Sequence, residues 1–403
     1  MAGNVEPERH ASRWPESRNA ADHMLQGLFR RFGRVPAMTR EATAAQVDAI
    51  YSRAAQAWME GNLDKAEQAA REAIALDPGL PALHYLLGSA LLDNEKYAAA
   101  TTALEEALTL KPHFPLVLNA ETGAALARAR GDIARGIVPL CEPRYDGPQR
   151  RISVIICSIT PAKFERVSAN YHRLLADTPH EIIGIHDARS MCEGYKRGLA
   201  KARGELLLFC HDDIAILAPD FADRLRNRLI DHELLGAVGS TRLSGADWIY
   251  SRWPHMHGQV GMPANPESHS GTIVTAFHMR GPLTANAQVM DGLFLACTRE
   301  LAERINFDAD TFDGWHLYDF DFSYRAWRAG RRTAICHDFL VVHASSGGFG
   351  ANWQRYAERF IKKHPDAHAT FGENQAPQLV SIAIRSVDEW RLFTQHMTAR
   401  PGP

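Results

Sequence analysis

The spacing of apolar positions changes twice along the chain. Residues 1–40 are polar and rich in arginine. Within them Met24, Leu25, Leu28, Phe29 and Phe32 fall at helical spacing beside Arg30, Arg31 and Arg34. This predicts an amphipathic helix from about Asp22 to Arg34, able to dock on its own protein or to lie on an anionic membrane. Residues 41–145 keep the helical period, are crowded with Ala and Leu, and hold almost no β-branched runs, so an all-α unit is expected. Asp146–Arg151 (DGPQRR) reads as a turn-rich linker. From 151 to 375 strands and helices alternate: ISVIICSI, FERVSANYHRLLAD, EIIGIHDA, MCEGYKRGLAKARG and ELLLFC. Apolar runs without polar alternation, such as ISVIICSI, suit strands covered on both faces. The β-α-β-α-β order predicts a mostly parallel sheet with right-handed crossovers and ligands at the carboxyl ends of its strands. Residues 376–403 read as a C-terminal tail.

The helical stretch is self-similar. Pro78 and Pro112 lie 34 residues apart, as do Ala66 and Ala100, and Ala73 and Ala107. GNLDKAEQAAREAIALDP and NEKYAAATTALEEALTLKP superpose at that spacing, and LVLNAETGAALARARGDIA reads as a degenerate third copy. Small residues at Ala66, Ala73, Gly88, Ala100 and Ala107 let paired helices approach, and each proline ends a second helix. The pattern resembles the tetratricopeptide repeat. The resemblance implies helix pairs over 41–145, acting as a groove for a protein partner, as a self-association surface, or as a cap on the neighbouring domain.

Composition narrows the class. With 45% hydrophobic and 23% charged residues the chain has ordinary globular usage. Lys+Arg 45 against Asp+Glu 47 argues against a nucleic-acid-binding polycation. The 6 cysteines form no CxxC pair and mostly sit in apolar runs, as buried thiols of a reducing compartment do. No stretch approaches the roughly 18 apolar residues of a membrane span, and MAGNVEPERH lacks the apolar core of a secretion signal. A cytoplasmic protein is expected, peripheral to the inner face of a membrane if the amphipathic helix engages one. The 19 histidines invite metal or acid–base readings. His255 and His257 lack partners at finger-like spacing, so zinc is not expected there.

The candidate chemistry lies in acidic turns. His211-Asp212-Asp213 follows the third strand, where carboxylates suit a hard divalent cation shared with phosphates. The stretch GLAKARGELLLFCHDDI, then MDGLFLACTREL, then FDADTFDGWHLYDFDFSYRAWRAGRR, in that order, resembles the family-two-like nucleotide-sugar glycosyltransferases of the GT-A fold. The resemblance implies an α/β, Rossmann-like domain over 151–375 that moves a sugar from a nucleoside diphosphate sugar to an acceptor hydroxyl, with inversion. It implies Mn²⁺ or Mg²⁺ on the diphosphate, held at Asp213, with His343 after the strand FLVV completing the set. His211, a third candidate metal ligand, stands where the family carries the first Asp of its D-x-D motif, a departure that leaves Asp212 as a substitute on the donor side.

By the same resemblance Asp319 is the general base, although Tyr318 replaces the usual Glu before it. Asp321, two positions on, points elsewhere and caps or braces the helix. Ser158, Thr160, Asp187 and Lys196 are assigned to the donor side, and Asp291, Gly292 and Trp315 to the acceptor side. Ser345, Ser346, Gly347, Gly348 and Gly350 read as a loop whose amides suit phosphate oxygens, or as a mobile lid over the donor. Residues 243–289 have no clear period and sit where an acceptor-specific insertion belongs. The expected acceptor is a glycan, a lipid-linked glycan or a protein. The competing reading is a non-catalytic scaffold made of repeats and an inactive transferase-like domain, and the departures at His211 and Tyr318 favour it.

Overall fold

A computed structural model describes residues 38–111, 115–265, 270–345, 348, 350–367 and 379–399. The amphipathic helix expected from Asp22 to Arg34 lies outside the described residues, as do Ser346 and Gly347. The chain divides into two units, Met1–Pro112 and His113–Pro403.

The first unit carries α1 (Met38–Met59), α2 (Leu63–Leu76), α3 (Pro81–Asp93) and α4 (Tyr97–Leu110). Short connections make α1/α2 and α3/α4 helical hairpins. Gly61, at φ +77°, turns the first, and Pro81 opens α3 where its missing N–H costs nothing. Ala66, Ala73, Ala90, Ala100 and Ala107 are fully buried between helices. Gly88 faces Leu104 so closely that a β-carbon there would collide with it. These are the tetratricopeptide pairs that the 34-residue spacing predicts. Trp58 Nε1 donates to Asp93 Oδ2 at 2.7 Å, and Lys96 reaches Glu67 at 2.8 Å, tying one pair to the next.

The helix expected as a third repeat copy, α5 (Val117–Ala134), belongs to the second unit. The remaining helices there are α6 (Pro161–Leu174), α7 (Met191–Lys201), α8 (Phe221–Asp231), α9 (Arg299–Ile305), α10 (Tyr318–Arg328), α11 (Ala351–Lys363) and α12 (Val387–Thr398). Its principal sheet is built from β1 (Ile152–Cys157), β2 (His180–Ile185), β3 (Leu206–Cys210), β5 (Leu234–Gly236), β9 (Leu283–Ala285), β11 (Phe294–Thr298) and β12 (Thr333–Cys336), in the order β2-β1-β3-β11-β5-β12-β9. β1 pairs parallel with β2 and β3, and β12 parallel with β5, while β11 runs antiparallel between β3 and β5. β1 and β3 are buried along their whole length, as their unbroken apolar runs require. This is the Rossmann-like α/β arrangement expected from the alternation of elements, but the sheet is mixed: three of its six described strand pairings are parallel and three antiparallel.

A second sheet carries β4 (Ile214–Ile216), β6 (Val238–Ser240), β7 (Met256–Asn265), β8 (Ser270–Ala276), β10 (Val289–Met290), β13 (Val341–His343) and β14 (Val380–Ile384). Its order is β10-β6-β7-β13-β4, with β8 on β7 and β14 on β8. The region without a clear period thus supplies a long β7–β8 hairpin. His257, in β7, is buried and hydrogen-bonded to Thr241 and to Thr284 on β9, a polar bridge to the principal sheet.

The stretch read as a tail differs most from expectation. Residues 380–384 add β14 to the second sheet, and α12 packs against α5. Trp390 on α12 is fully buried, and its Nε1 donates to Gln259 Oε1 at 2.8 Å. Arg130 on α5 reaches Glu389 at 3.2 Å, and His396 meets Asp132 at 2.7 Å. The physical reason is local: Ser386 caps α12 by accepting from the N–H of Glu389, a capping box that starts a helix. Among the described residues no helix is long and apolar enough to cross a membrane.

Candidate active site

The carboxyl ends of β1, β3 and β13 and the first turn of α10 meet at one place. β3 ends at Cys210, so the chain turns at His211-Asp212-Asp213 as it leaves the sheet. β13 pairs antiparallel with β4, with His343 opposite Ile214, which sets its ring beside Asp213. His343 Nε2 lies 3.2 Å from Asp213 Oδ1 and 3.2 Å from His211 Nδ1. Among the described residues, these three side chains are the group whose ligand atoms converge enough to hold a metal ion, all within 4.8 Å of one another.

Tautomer logic supports the donor set. Tyr318 Oη donates to the Gly292 carbonyl at 3.2 Å, so it accepts from His211 Nε2 at 2.8 Å. His211 therefore carries its proton on Nε2 and points a lone pair from Nδ1 into the cluster, as a ligating imidazole held by an outer partner does. Burial, with His343 beside it, pushes His211 below its ordinary value and keeps it neutral. Burial works the other way on Asp213, but His343 outweighs it and holds the carboxyl well below the usual range. Burial likewise opposes protonation of His343, and Asp213 more than offsets it. Two imidazoles and one carboxylate suit a divalent first-row ion and leave coordination positions open.

The same chain of contacts leads to Asp319. Gly292 N–H donates to Asp319 Oδ2 at 2.7 Å, and a β-carbon at Gly292 would run into the Tyr318 ring and Asp319. Asp319 is 9% exposed, and burial together with the neighbouring Asp291 raises it to about 7. Leu317, just before α10, sits at φ +61°, a conformation that costs a β-carbon-bearing residue about 1 kcal/mol or more. That turn aims Tyr318 at His211 and Asp319 at Gly292.

Asp291 accepts from the Leu293 N–H at 3.0 Å and from Trp248 Nε1 at 3.2 Å. Asp247, beside Trp248, is buried and raised to about 6 by burial and Asp291. Asp321 accepts from His364, Lys363 and Arg325 and braces α10, as expected.

Of the residues expected on the donor side, Ser158 Oγ donates to Asp212 Oδ2 at 2.7 Å, joining the ends of β1 and β3. Thr160 is exposed and precedes α6, and its N–H donates to Ser158 Oγ at 3.3 Å. Ser345 Oγ lies 3.3 Å from His343 Nε2. Asp187 is exposed and held below its ordinary value by Arg197, at 2.5 Å. Arg197 is thus engaged by Asp187 and Glu193, and Lys196 is exposed on α7. Trp315 is 48% exposed in the loop whose Gly314 carbonyl accepts from Met191 N–H.

The sequence reading missed Lys163. Its Nζ lies 3.6 Å from Asp212 and 4.0 Å from Asp213, from the first turn of α6. Its one sequence signal is the proline-opened helix that follows β1. Trp248 and Asp247 were missed because they sit where no period shows.

Comparison with known proteins gives a family. The model of a glycosyltransferase-like family matches residues 153–364, and that of a tetratricopeptide repeat matches residues 57–122. A curated relative from Fuscovulum blasticum, described as ATP synthase subunits region ORF 6, is 22% identical over 241 residues, spanning 55% of this chain and 88% of its own. Among solved structures, a mannosyltransferase from Pyrobaculum calidifontis in complex with GDP-Man and Mn²⁺ is 15% identical, with TM-score 0.36, covering 75% of this chain and 80% of its own. GalNAc-T7 with UDP, GalNAc and Mn²⁺ is 12% identical, with TM-score 0.35, covering 55% of this chain and 49% of its own. The first family match spans more than half of the chain and contains His211, Asp213, Asp319 and His343, so the protein belongs to this glycosyltransferase-like family.

Proposed function

We propose that the protein is a metal-dependent, inverting glycosyltransferase that moves a hexosyl group from a nucleoside diphosphate sugar to an acceptor hydroxyl. The observation that carries this reading is the convergence of His211 Nδ1, Asp213 Oδ1 and His343 Nε2, hydrogen-bonded through Tyr318 and Gly292 to the buried Asp319. His211, Asp213 and His343 would hold Mn²⁺, which two imidazoles favour over Mg²⁺. A bound divalent ion supplies charge neutralisation for a departing diphosphate.

The chain's own groups supply the rest. Lys163 and the first turn of α6 present positive charge toward the same diphosphate. Ser158 fixes Asp212 so that the acidic turn keeps its shape. Asp187 and Thr160 sit on the donor side, and Trp315 offers an exposed ring to a sugar acceptor. Asp319 takes the acceptor hydroxyl proton. A carboxyl displaced to about 7 is a stronger base than an ordinary aspartate, with about half of it ionised at pH 7.

The two departures from the family pattern meet in space, since Tyr318 Oη lies 2.8 Å from His211 Nε2. They act as a matched pair that orients a ligand, which favours the enzyme over an inactive scaffold. The tetratricopeptide unit serves a protein partner or self-association.

The test is a panel of nucleotide sugars with Mn²⁺, read as nucleoside diphosphate release. One donor should turn over slowly in water and faster with its acceptor, and Asp213→Ala should abolish release. Absence of release and of any nucleotide-induced thermal shift across the panel would sink the reading.

A further inference from the structure

The chain crosses from β10 in the second sheet to β11 in the principal sheet through Asp291, Gly292 and Leu293. So short a crossing is steered by its hydrogen-bond partners. The Asp291 N–H donates to the Val238 carbonyl of β6 at 3.0 Å. Asp291 Oδ1 accepts from the Leu293 N–H, also at 3.0 Å. The Gly292 N–H and carbonyl are taken by Asp319 and Tyr318, and a β-carbon at Gly292 would find no room on that side. These bonds come from the sheets, the turn and α10. Asp291 Oδ2 differs, because its partner is Trp248 Nε1, at 3.2 Å, from the stretch 243–289 that shows no period.

Trp248 is well held for that bond. It is 5% exposed, and a buried indole N–H needs an acceptor. Its ring stands edge-to-face on Phe277, with centroids 5.1 Å apart, which leaves it little freedom to turn. Asp247 opens the 3-10 turn Trp248–Ser251 by accepting from the Ile249 N–H at 2.9 Å. A core tryptophan can satisfy its N–H on any carbonyl; this one gives it to the carboxylate beside Asp319.

The consequence lies at Asp319. Around the two carboxylates stand Asp247 from the turn, Cys192 and Tyr195 from α7, Tyr318 from α10, and His211 and His343 from the ends of β3 and β13. Burial pushes the thiol and both phenols up, so they stay neutral while Asp319 titrates. Burial, and then the charge of Asp291, keeps the proton on Asp319. If Asp291 swung out into solvent, its charge would be screened and would act on Asp319 far less.

We infer that Trp248 is a positioning residue of the proposed transfer: its indole N–H fixes the Asp291 carboxylate beside the Gly292 N–H that Asp319 accepts from, so the insertion shapes the proton-accepting end of the site. Its role in turnover rests on the transferase reading, while the pairing of Trp248, Asp291 and Asp319 rests on the hydrogen bonds alone.

The test compares the full chain with Trp248→Phe, Asp291→Asn and the double variant. Phenylalanine keeps a buried ring and drops the N–H. The first readout is the pH profile of kcat/KM with Mn²⁺ and the donor found in the panel. Asp291→Asn should move its rise to lower pH by roughly one unit. Trp248→Phe should move it the same way by less, and the double variant no further than Asp291→Asn. A tryptophan that only supports the fold would lower the plateau and leave the midpoint in place, since a midpoint does not depend on how much of the protein is folded. Urea unfolding in EDTA, each protein against its Asp319→Asn counterpart, gives the midpoint without substrate. The stability that protonated Asp319 contributes is lost as pH rises through its folded value, so in both variants it should be lost at lower pH. Unmoved midpoints, or a double variant shifted beyond Asp291→Asn, overturn the inference and leave the transferase reading standing. Absence of turnover with every donor sinks that reading instead, and the unfolding series then decides the inference by itself.

Discussion

Replacing Asp319 by Asn tests the buried carboxyl without any substrate. The carboxyl moves from the ordinary aspartate value of 3.8 to about 7, chiefly by burial and then by Asp291, with the Gly292 N–H pulling the other way. At about 1.4 kcal/mol per pH unit this is worth on the order of 4 kcal/mol. Between pH 3.8 and about 7 the folded protein holds a proton on Asp319 that the unfolded chain has released. The unfolded state binds fewer protons there, so this contribution to stability falls as pH rises and is gone above about 7. Asn keeps an oxygen for the Gly292 N–H and does not titrate. The stability of Asp319→Asn relative to wild type should therefore climb by about 4 kcal/mol from pH 4 to pH 8. Urea unfolding in EDTA at a series of pH values measures the difference, and pH-independent costs of the substitution cancel in its slope. A difference that stays flat across the window would falsify the claim that Asp319 is held protonated by its surroundings. The same displacement predicts that transfer rises with pH through about 7 and is absent at all pH values in the variant.

Four further outcomes follow from contacts described above. Tyr318→Phe removes the acceptor for His211 Nε2–H and should weaken Mn²⁺ binding about 10–100-fold by calorimetry; unchanged affinity would mean that His211 is not a ligand. Lys163→Ala should raise donor KM about tenfold with a smaller change in kcat, as loss of a charge contact equal in ground and transition states does. Gly88→Ala drives a methyl into Leu104 and should cost the repeat unit about 1–3 kcal/mol, seen as an earlier thermal transition. A chain ending at residue 375 lacks β14 and α12, leaves Gln259 without Trp390, and should yield aggregated protein where the full chain is monodisperse by size-exclusion chromatography.

What the sequence made legible was whatever a local pattern can carry. The unbroken runs of β1 and β3 announce strands buried on both faces, and the 34-residue spacing of Pro78 and Pro112 announces the helix pairs. Asp213, His343 and Asp319 stand out because each follows a strand or opens a helix. Other features depend on partners distant in the chain. α5 has the small-residue composition of a repeat helix, yet its packing partner is α12, which no window of neighbouring residues can see. The capping box at Ser386 and Glu389 was there to be read, but a single strand and a single helix after a polar stretch look like a tail. The ion pair of Asp187 with Arg197, ten residues on, shows only in the fold. His211 and Tyr318, each a defect when taken alone, become a hydrogen-bonded pair only once the fold brings them together.

The pairing of α5 with α12 also sets a timetable. On the ribosome α5 is finished roughly 250 residues before α12 begins, and at about 5–20 residues per second that gap lasts on the order of 10–50 s. Throughout it the face of α5 bearing Arg130 and Asp132 has no α12 to cover it. The helical repeats upstream can complete themselves at once, because every contact within a hairpin is local. The second unit instead closes with nearly its last described residues, so its synthesis rate and the occupancy of that waiting face by a chaperone become part of how this protein reaches its native state.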